Sequence, residues 1–159
     1  MIKNSRSGRT HAIVRIRNVI FILFILLIAQ FWLGMAINLE VNMPVMHLGA
    51  IASLLYFGDH FWFILAHIVN GFVILTSSLV FLILSLKSPY VSLKIGSTVT
   101  LATVAGATVN GILFLESGQD FGWSVGMAMS AVGVLISAAI SLYFVGKILG
   151  MIEIKRDKQ

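Results

Sequence analysis

Four apolar segments dominate the sequence, and each is long enough to cross a lipid bilayer as an α-helix. A bilayer-spanning helix needs about 20 consecutive, mostly apolar residues. The segments cover about 19–39, 60–86, 95–115 and 123–146. Only 11% of the 159 residues are charged, against about 25% in soluble domains. The sequence therefore predicts an all-α, polytopic membrane protein folded as a four-transmembrane-helix bundle.

The basic residues predict the orientation of the bundle, because all eleven fall on one side of the predicted bilayer. They occupy the N-terminal tail, the loop between the second and third spans, and the C-terminal tail. They are Lys3, Arg6, Arg9, Arg15, Arg17, Lys87, Lys94, Lys147, Lys155, Arg156 and Lys158. The loops on the other side carry acidic residues and no basic one. Since cytoplasmic segments are enriched in Lys and Arg, both termini are predicted to be cytoplasmic, in basic tails over 1–18 and 147–159.

The net charge of +5 is accounted for by this topology signal. The basic residues flank apolar spans instead of forming a separate basic domain, so no nucleic-acid partner is predicted. Their expected contacts are the anionic lipid headgroups of the cell (plasma) membrane. The chain has no cysteine, which excludes disulfides, thiolate metal sites and iron–sulfur clusters.

The loop between the first two spans is long and unusually apolar, with the segment PVMHLGAIASLLYFG at 44–58. A helix running without a break from Val45 to Leu86 would be too long for one bilayer. We therefore expect a break at Gly58, with Asp59 capping the second span, and a short interfacial helix over 44–57 at the outer surface. A cleaved signal peptide is the alternative for the first span, although its apolar run of about 18 residues exceeds the usual signal core.

Small residues predict where the helices pack, because lipid gives apolar helices no hydrophobic drive to associate. In the fourth span, small residues recur at four-residue steps: Gly122, Gly126 and Ser130, then Gly133, Ser137 and Ser141. The third span carries Gly96, Ser97, Thr100, Thr103, Gly106 and Ala107. We expect these two spans to pack closely, either with each other or against a partner subunit.

Polar side chains inside the spans predict a polar pocket in the outer half of the bundle. The pocket residues are Gln30, Asn38, Asn70 and Asn110. Such residues are costly in hydrocarbon and usually face the bundle interior. The inner half is apolar by comparison, which disfavours a continuous channel.

His67 lies among these residues, and the sequence leaves its role open. One interpretation is a neutral histidine that is hydrogen bonded to Gln30 or Asn110; the others are a cofactor or metal ligand and a proton-transfer group. His60 lies two helical turns before it, at the outer boundary. Met127 and Met129 carry thioethers that can bind haem iron or copper(I), and they are also ordinary fillers of apolar space.

Two segments resemble one four-helix half of the haem A synthase and b-type cytochrome-like family. LLIAQFWLGMAINLEV (26–41) is similar to its first helix, in which a Gln and a Leu-Gly pair recur. HFWFILAHIVNGFVIL (60–75) is similar to the next helix, which carries a haem-ligating His and then a Gly. The resemblance implies a haem site that uses His67. The family's second His, on the fourth helix, has no counterpart here, where Met127 and Met129 are the nearest candidates.

Three functions follow from these patterns. The favoured one is a non-catalytic subunit or scaffold of a membrane complex, bound to other subunits or to itself through the Gly/Ser faces of the third and fourth spans. The second is a haem-binding, b-type cytochrome-like protein. The third is a small transporter or a quinone- or lipid-binding protein. The sequence shows no phosphate loop, no nucleophile with a base, and no paired carboxylates within a span, which disfavours an enzyme.

Overall fold

The computed structural model describes residues 2–40, 61–117 and 121–157, and this part of the chain forms four long α-helices. They are α1 (Ile2–Glu40), α2 (Phe61–Leu86), α3 (Val91–Glu116) and α4 (Phe121–Asp157). The all-α prediction is confirmed. The predicted interfacial helix over 44–57 and the predicted cap at Asp59 lie outside the described residues.

Each helix contains a segment long and apolar enough to cross a membrane. The four candidate spans are Thr10–Ile37, Trp62–Leu86, Val91–Glu116 and Phe121–Ile154. The chain is therefore an integral membrane protein, as its composition predicts. The first and last helices continue beyond the apolar segments into the basic tails. Lys and Arg are good helix formers, so the helices can continue past the last apolar residues.

The four helices form a closed ring in which each packs against its neighbours in the sequence and α1 also packs against α4. The α3–α4 interface is the most extensive of the four. Contacts pair Gln30 with His67 and Leu26 with Asn70, so α1 and α2 are antiparallel. Consecutive helices therefore run in opposite directions. The start of α1, the α2–α3 connection and the end of α4 meet at one end of the bundle.

We call this end the basic end, because it carries Arg15, Arg17, Lys87, Lys94 and Lys147. The other end, where α1 and α3 finish, is called the distal end. His67 lies about 28 Å from the end of α2 at Leu86, from a rise of about 1.5 Å per residue.

The turn between α2 and α3 explains the sharp reversal at the basic end. Pro89 fixes its own φ and disfavours a helical conformation at Ser88. The backbone N–H of Ser88 donates to the carbonyl of Ser85 at 3.0 Å. The N–H of Tyr90 donates to Ser88 Oγ at 3.3 Å. The Tyr90 carbonyl then accepts the first bond of α3, from Leu93 N at 3.2 Å.

Most of the buried side chains lie in the half of the bundle next to the basic end. In every helix they recur at steps of three and four residues, the spacing of left-handed antiparallel bundles. The set is Ile13, Ile16, Ile20, Leu23 and Leu27 in α1; Ile74, Ser78, Phe81 and Ser85 in α2; Leu93, Ser97, Thr100 and Val104 in α3; and Val134, Ser137, Ala138, Ser141, Val145 and Ile148 in α4.

Large apolar side chains point outward. Phe31, Trp32, Trp62 and Phe72 are among the most exposed residues of the distal half. In water this distribution would be unfavourable, but lipid covers such side chains at no cost. Large aromatic residues outside, with Ser and Thr among the buried positions of α2, α3 and α4, suit helices that pack closely in a bilayer.

Candidate functional site

The strongest polar feature within the spans is a cluster that joins α1 to α2 in the distal half. Gln30 Nε2 lies 3.0 Å from His67 Nε2. Asn70 Nδ2 donates to Gln30 Oε1 at 2.7 Å and to the backbone carbonyl of Leu26 at 3.0 Å. We call these three side chains and the Leu26 carbonyl the α1–α2 polar cluster. Of the two predicted partners of His67, Gln30 is the one to which it is hydrogen bonded.

Two glycines allow these side chains to reach across the helix pair. A Cβ atom on Gly34 would lie 3.4 Å from His67 Cε1, and one on Gly71 would lie 3.6 Å from Gln30 Nε2. Each long polar side chain therefore packs over a glycine of the opposite helix. Gln30 and Gly34 are one turn apart on α1, and His67 and Gly71 are one turn apart on α2, so the arrangement is reciprocal.

The hydrogen bonds of the cluster have only one consistent direction. The Leu26 carbonyl is an acceptor, so the NH₂ group of Asn70 must face it. The same NH₂ group faces Gln30, which must therefore present its oxygen to Asn70 and its NH₂ group to His67. His67 Nε2 is then an acceptor, and the neutral ring carries its proton on Nδ1.

Nδ1 of His67 is buried and has no hydrogen-bond partner within the part of the chain that the structure describes. It lies on the side of the ring next to Gly34, 3.9 Å from the position of an added Cβ. Among the described residues, the imidazole is thus hydrogen bonded on one side only.

A second set of polar contacts joins α3 to α4. The hydroxyl oxygens of Thr100 and Ser137 are 2.9 Å apart, and each also lies within hydrogen-bond distance of the Gly96 carbonyl, at 2.8 and 3.0 Å. Further along, Ser130 and Thr103 pack over Gly106 and Gly133. The predicted close packing of the third and fourth spans is confirmed, and these faces fill each other within one chain.

The other predicted pocket residues are placed differently. Asn110 lies 19 residues after the start of α3, and His67 lies 19 residues before the end of α2, so both have a similar depth. The amide of Asn110, however, packs against α4, where its Cγ, Nδ2 and Oδ1 are each 3.0 Å from a Cβ placed on Gly126. The side chain of Asn38 and the whole of His60 lie outside what the structure describes.

The two methionines predicted as alternative haem ligands occupy unlike surroundings. Met127 packs at the α3–α4 interface, with Sδ 3.3 Å from a Cβ placed on Gly111. Met129 is 68% exposed and faces outward. His67 Nε2 is already bonded to Gln30. Haem ligation by His67 with Met127 or Met129 stays a prediction.

Several features of the site could not be read from the sequence. The pairing of Gly34 with His67 and of Gly71 with Gln30 depends on how the helices are rotated about their axes. Gly146 and Gly150, near the basic end of α4, differ from these glycines, because an added Cβ at either would meet no described residue within 4 Å. Their four-residue spacing resembles that of the packed glycines, so spacing alone does not distinguish them.

The α1–α2 polar cluster therefore stands as the candidate site, with its residues engaged mainly with one another. Comparison of the chain with protein-family models, with curated proteins and with solved structures finds no match in any of the three. The similarity to the haem A synthase bundle consequently rests on the sequence motifs alone, and the fold and the geometry described above are the basis for a function.

Proposed function

We propose that this chain is a non-catalytic subunit or scaffold of a membrane complex, inserted with both termini in the cytoplasm. The observation that carries the proposal is that the polar side chains within the spans form hydrogen bonds between neighbouring helices. Gln30, His67 and Asn70 bond to each other and to the α1 backbone, and Thr100 and Ser137 share the Gly96 carbonyl. Apart from Nδ1 of His67, these polar groups are bonded across a helix pair, which suits a role in joining helices.

The energetic reason lies in the solvent. A lipid chain offers no hydrogen-bond partner, so a polar side chain in the hydrocarbon region is stabilised by a neighbouring helix. Interhelical hydrogen bonds in membranes contribute about 0.6 kcal/mol on average and up to about 1.7 kcal/mol. The contacts at Gln30, His67 and Asn70 together are thus worth about as much as burial of one or two apolar side chains.

The orientation is supported by the basic end. Arg15, Arg17, Lys94 and Lys147 lie in α1, α3 and α4, and Lys87 lies in the α2–α3 turn; all five meet at one end of the antiparallel bundle. At the distal end, Glu116 is exposed and closes α3. Because Lys and Arg are retained on the cytoplasmic side during insertion, the basic end is the cytoplasmic one. The exposed positive charges there suit anionic lipid headgroups.

The experiment is purification of the tagged full chain from its native membrane in a mild detergent, followed by analysis of its partners and its absorption spectrum. We expect a membrane protein to co-purify at a fixed stoichiometry, and no Soret band. The matched variants are His67→Ala and His11→Ala, since His11 is an exposed histidine near the basic end. A chain that purifies alone, with a Soret band lost in His67→Ala and kept in His11→Ala, would replace this proposal with the haem-binding alternative.

A further inference from the structure

We propose that the α1–α2 polar cluster is a proton-controlled latch. It holds the distal half of α1 against α2 while His67 is neutral, and it releases when Nε2 of His67 takes up a proton. The inference rests on the proposed role of the cluster in joining helices, and it adds a means of control that helix packing alone does not supply.

The first step is the fixed direction of the hydrogen bonds. The Leu26 carbonyl belongs to the backbone of α1 and accepts a bond from Asn70 Nδ2 at 3.0 Å. It can only accept, so it sets the orientation of the Asn70 amide, which in turn sets that of Gln30. At the end of this series, His67 Nε2 must offer a lone pair to Gln30 Nε2, 3.0 Å away.

The second step is what a proton does to this series. A proton on Nε2 turns the acceptor into a donor that faces the NH₂ group of Gln30. If the Gln30 amide turns over, its NH₂ group faces the NH₂ group of Asn70 instead. If the Asn70 amide also turns over, its oxygen faces the Leu26 carbonyl. Each rearrangement moves the mismatched contact along the cluster without removing it.

The third step is the absence of a counter-charge among the described residues. No ionisable side chain occurs in α1 between 18 and 37, in α3 between 95 and 115, or in α4 between 121 and 142. The groups that these helices bring to the depth of His67 are Gln30 and Gly34 from α1, Asn110 from α3 and Met127 from α4. Glu116 is exposed at the distal end of α3, about 9 Å further along the helix axis than Asn110. An imidazolium at position 67 therefore meets no carboxylate within the described spans.

Thermal unfolding of the purified full chain in detergent, followed by helical circular dichroism between pH 8 and pH 5, tests the latch. The reference is His67→Gln, in which an amide oxygen takes the place of Nε2 and cannot be protonated in this range. We expect the wild type to lose roughly 2–4 °C more in Tm than His67→Gln as the pH falls, the shift expected from one lost contact in a chain of this size.

The variant Gln30→Glu should reverse the pH dependence of the cluster's stability. A carboxylate at position 30 can accept from Asn70 and from a protonated Nε2 together, so this variant should keep or gain Tm as the pH falls. Equal pH dependence in the wild type and His67→Gln would overturn the latch.

The ¹⁵N resonances of His67, assigned with His67→Gln in histidine-labelled protein, give a readout that does not depend on any variant's stability. At pH 8 we expect Nδ1 to be protonated and Nε2 to be bare. A proton on Nε2 at pH 8 would also overturn the latch. If the pH response is absent, a partner can still co-purify with the chain. If no partner co-purifies, the isolated chain can still show the pH response. The two proposals are therefore tested separately.

Discussion

The α3–α4 interface predicts that two glycine-to-alanine substitutions in α4 will differ in their effect on stability. A Cβ on Gly133 would lie 2.9 Å from Cγ2 of Thr103. Apolar carbon atoms prefer about 3.5–4.0 Å, so the two helices would have to separate by roughly 0.6 Å or more at this point. A Cβ on Gly146 would meet nothing within 4 Å in the part of the chain that the structure describes.

The magnitudes follow from two terms. Both substitutions gain helix propensity, which is worth about 1 kcal/mol for Ala over Gly. Only Gly133→Ala overpacks an interface, at a typical cost of about 1–3 kcal/mol. Thr103 cannot turn away cheaply, because its hydroxyl is bonded to the Val99 carbonyl of its own helix. We expect Gly146→Ala to be stabilised by up to about 1 kcal/mol and Gly133→Ala to be less stable than it by about 1–3 kcal/mol.

The assay is reversible unfolding of the purified chain from mild detergent into sodium dodecyl sulfate, monitored by helical circular dichroism. The double variant Gly133→Ala with Thr103→Ser removes the Cγ2 atom that the new Cβ meets. It should therefore recover most of the loss, beyond what additivity of the two single changes allows. If Gly133→Ala and Gly146→Ala have equal free energies of unfolding, the close approach of α3 and α4 at Gly133 is wrong.

Three further predictions concern other parts of the bundle. Asn70→Leu should lower the free energy of unfolding by about 1–2 kcal/mol, because it removes two hydrogen bonds of the α1–α2 polar cluster. The control is Thr76→Val, which removes an exposed hydroxyl bonded within α2 and should have little effect in the same titration. Ser85→Ala should be neutral or raise stability by up to about 1 kcal/mol, since the Ser85 hydroxyl is buried without a partner among the described residues, and a clear loss would show that this hydroxyl is bonded. In intact cells, a membrane-impermeant maleimide should label Glu116→Cys and reach Pro89→Cys only after permeabilisation, because the chain has no cysteine of its own; the reverse pattern would invert the proposed orientation.

The sequence predicts the fold better than it predicts the site, for physical reasons that particular residues make clear. Span length and composition are enough to predict four helices, and the small residues of α3 and α4 are enough to predict their close packing. The hydrogen-bond partner of His67 is harder to predict, because Gln30 and Asn110 lie at a similar depth in the bundle. Depth alone does not show which way each side chain points around its helix axis. The choice of Gln30 depends on Gly34 and Gly71, whose pairing becomes visible only when α1 and α2 are placed together.

The helical tails show a different limit. Hydropathy marks where the apolar side chains end, near 146 in the last span, but the helix continues to Asp157. A helix boundary depends on the backbone; no Pro interrupts α4 at the membrane surface, and Gly146 and Gly150 lie within the helix without ending it. The predicted first and last spans are therefore shorter than α1 and α4, which contain them.

The division of the interhelical hydrogen bonds has a consequence for how the bundle deforms. The Gln30–His67 contact joins α1 to α2 and the Thr100–Ser137 contact joins α3 to α4, whereas the core cluster shared by all four helices contains apolar residues such as Ile20, Phe81 and Val145. Dispersion contacts vary smoothly as surfaces slide, but a hydrogen bond is lost over a fraction of an ångström. We therefore expect bilayer thinning or lateral pressure to shear one hairpin along the other before it opens either hairpin.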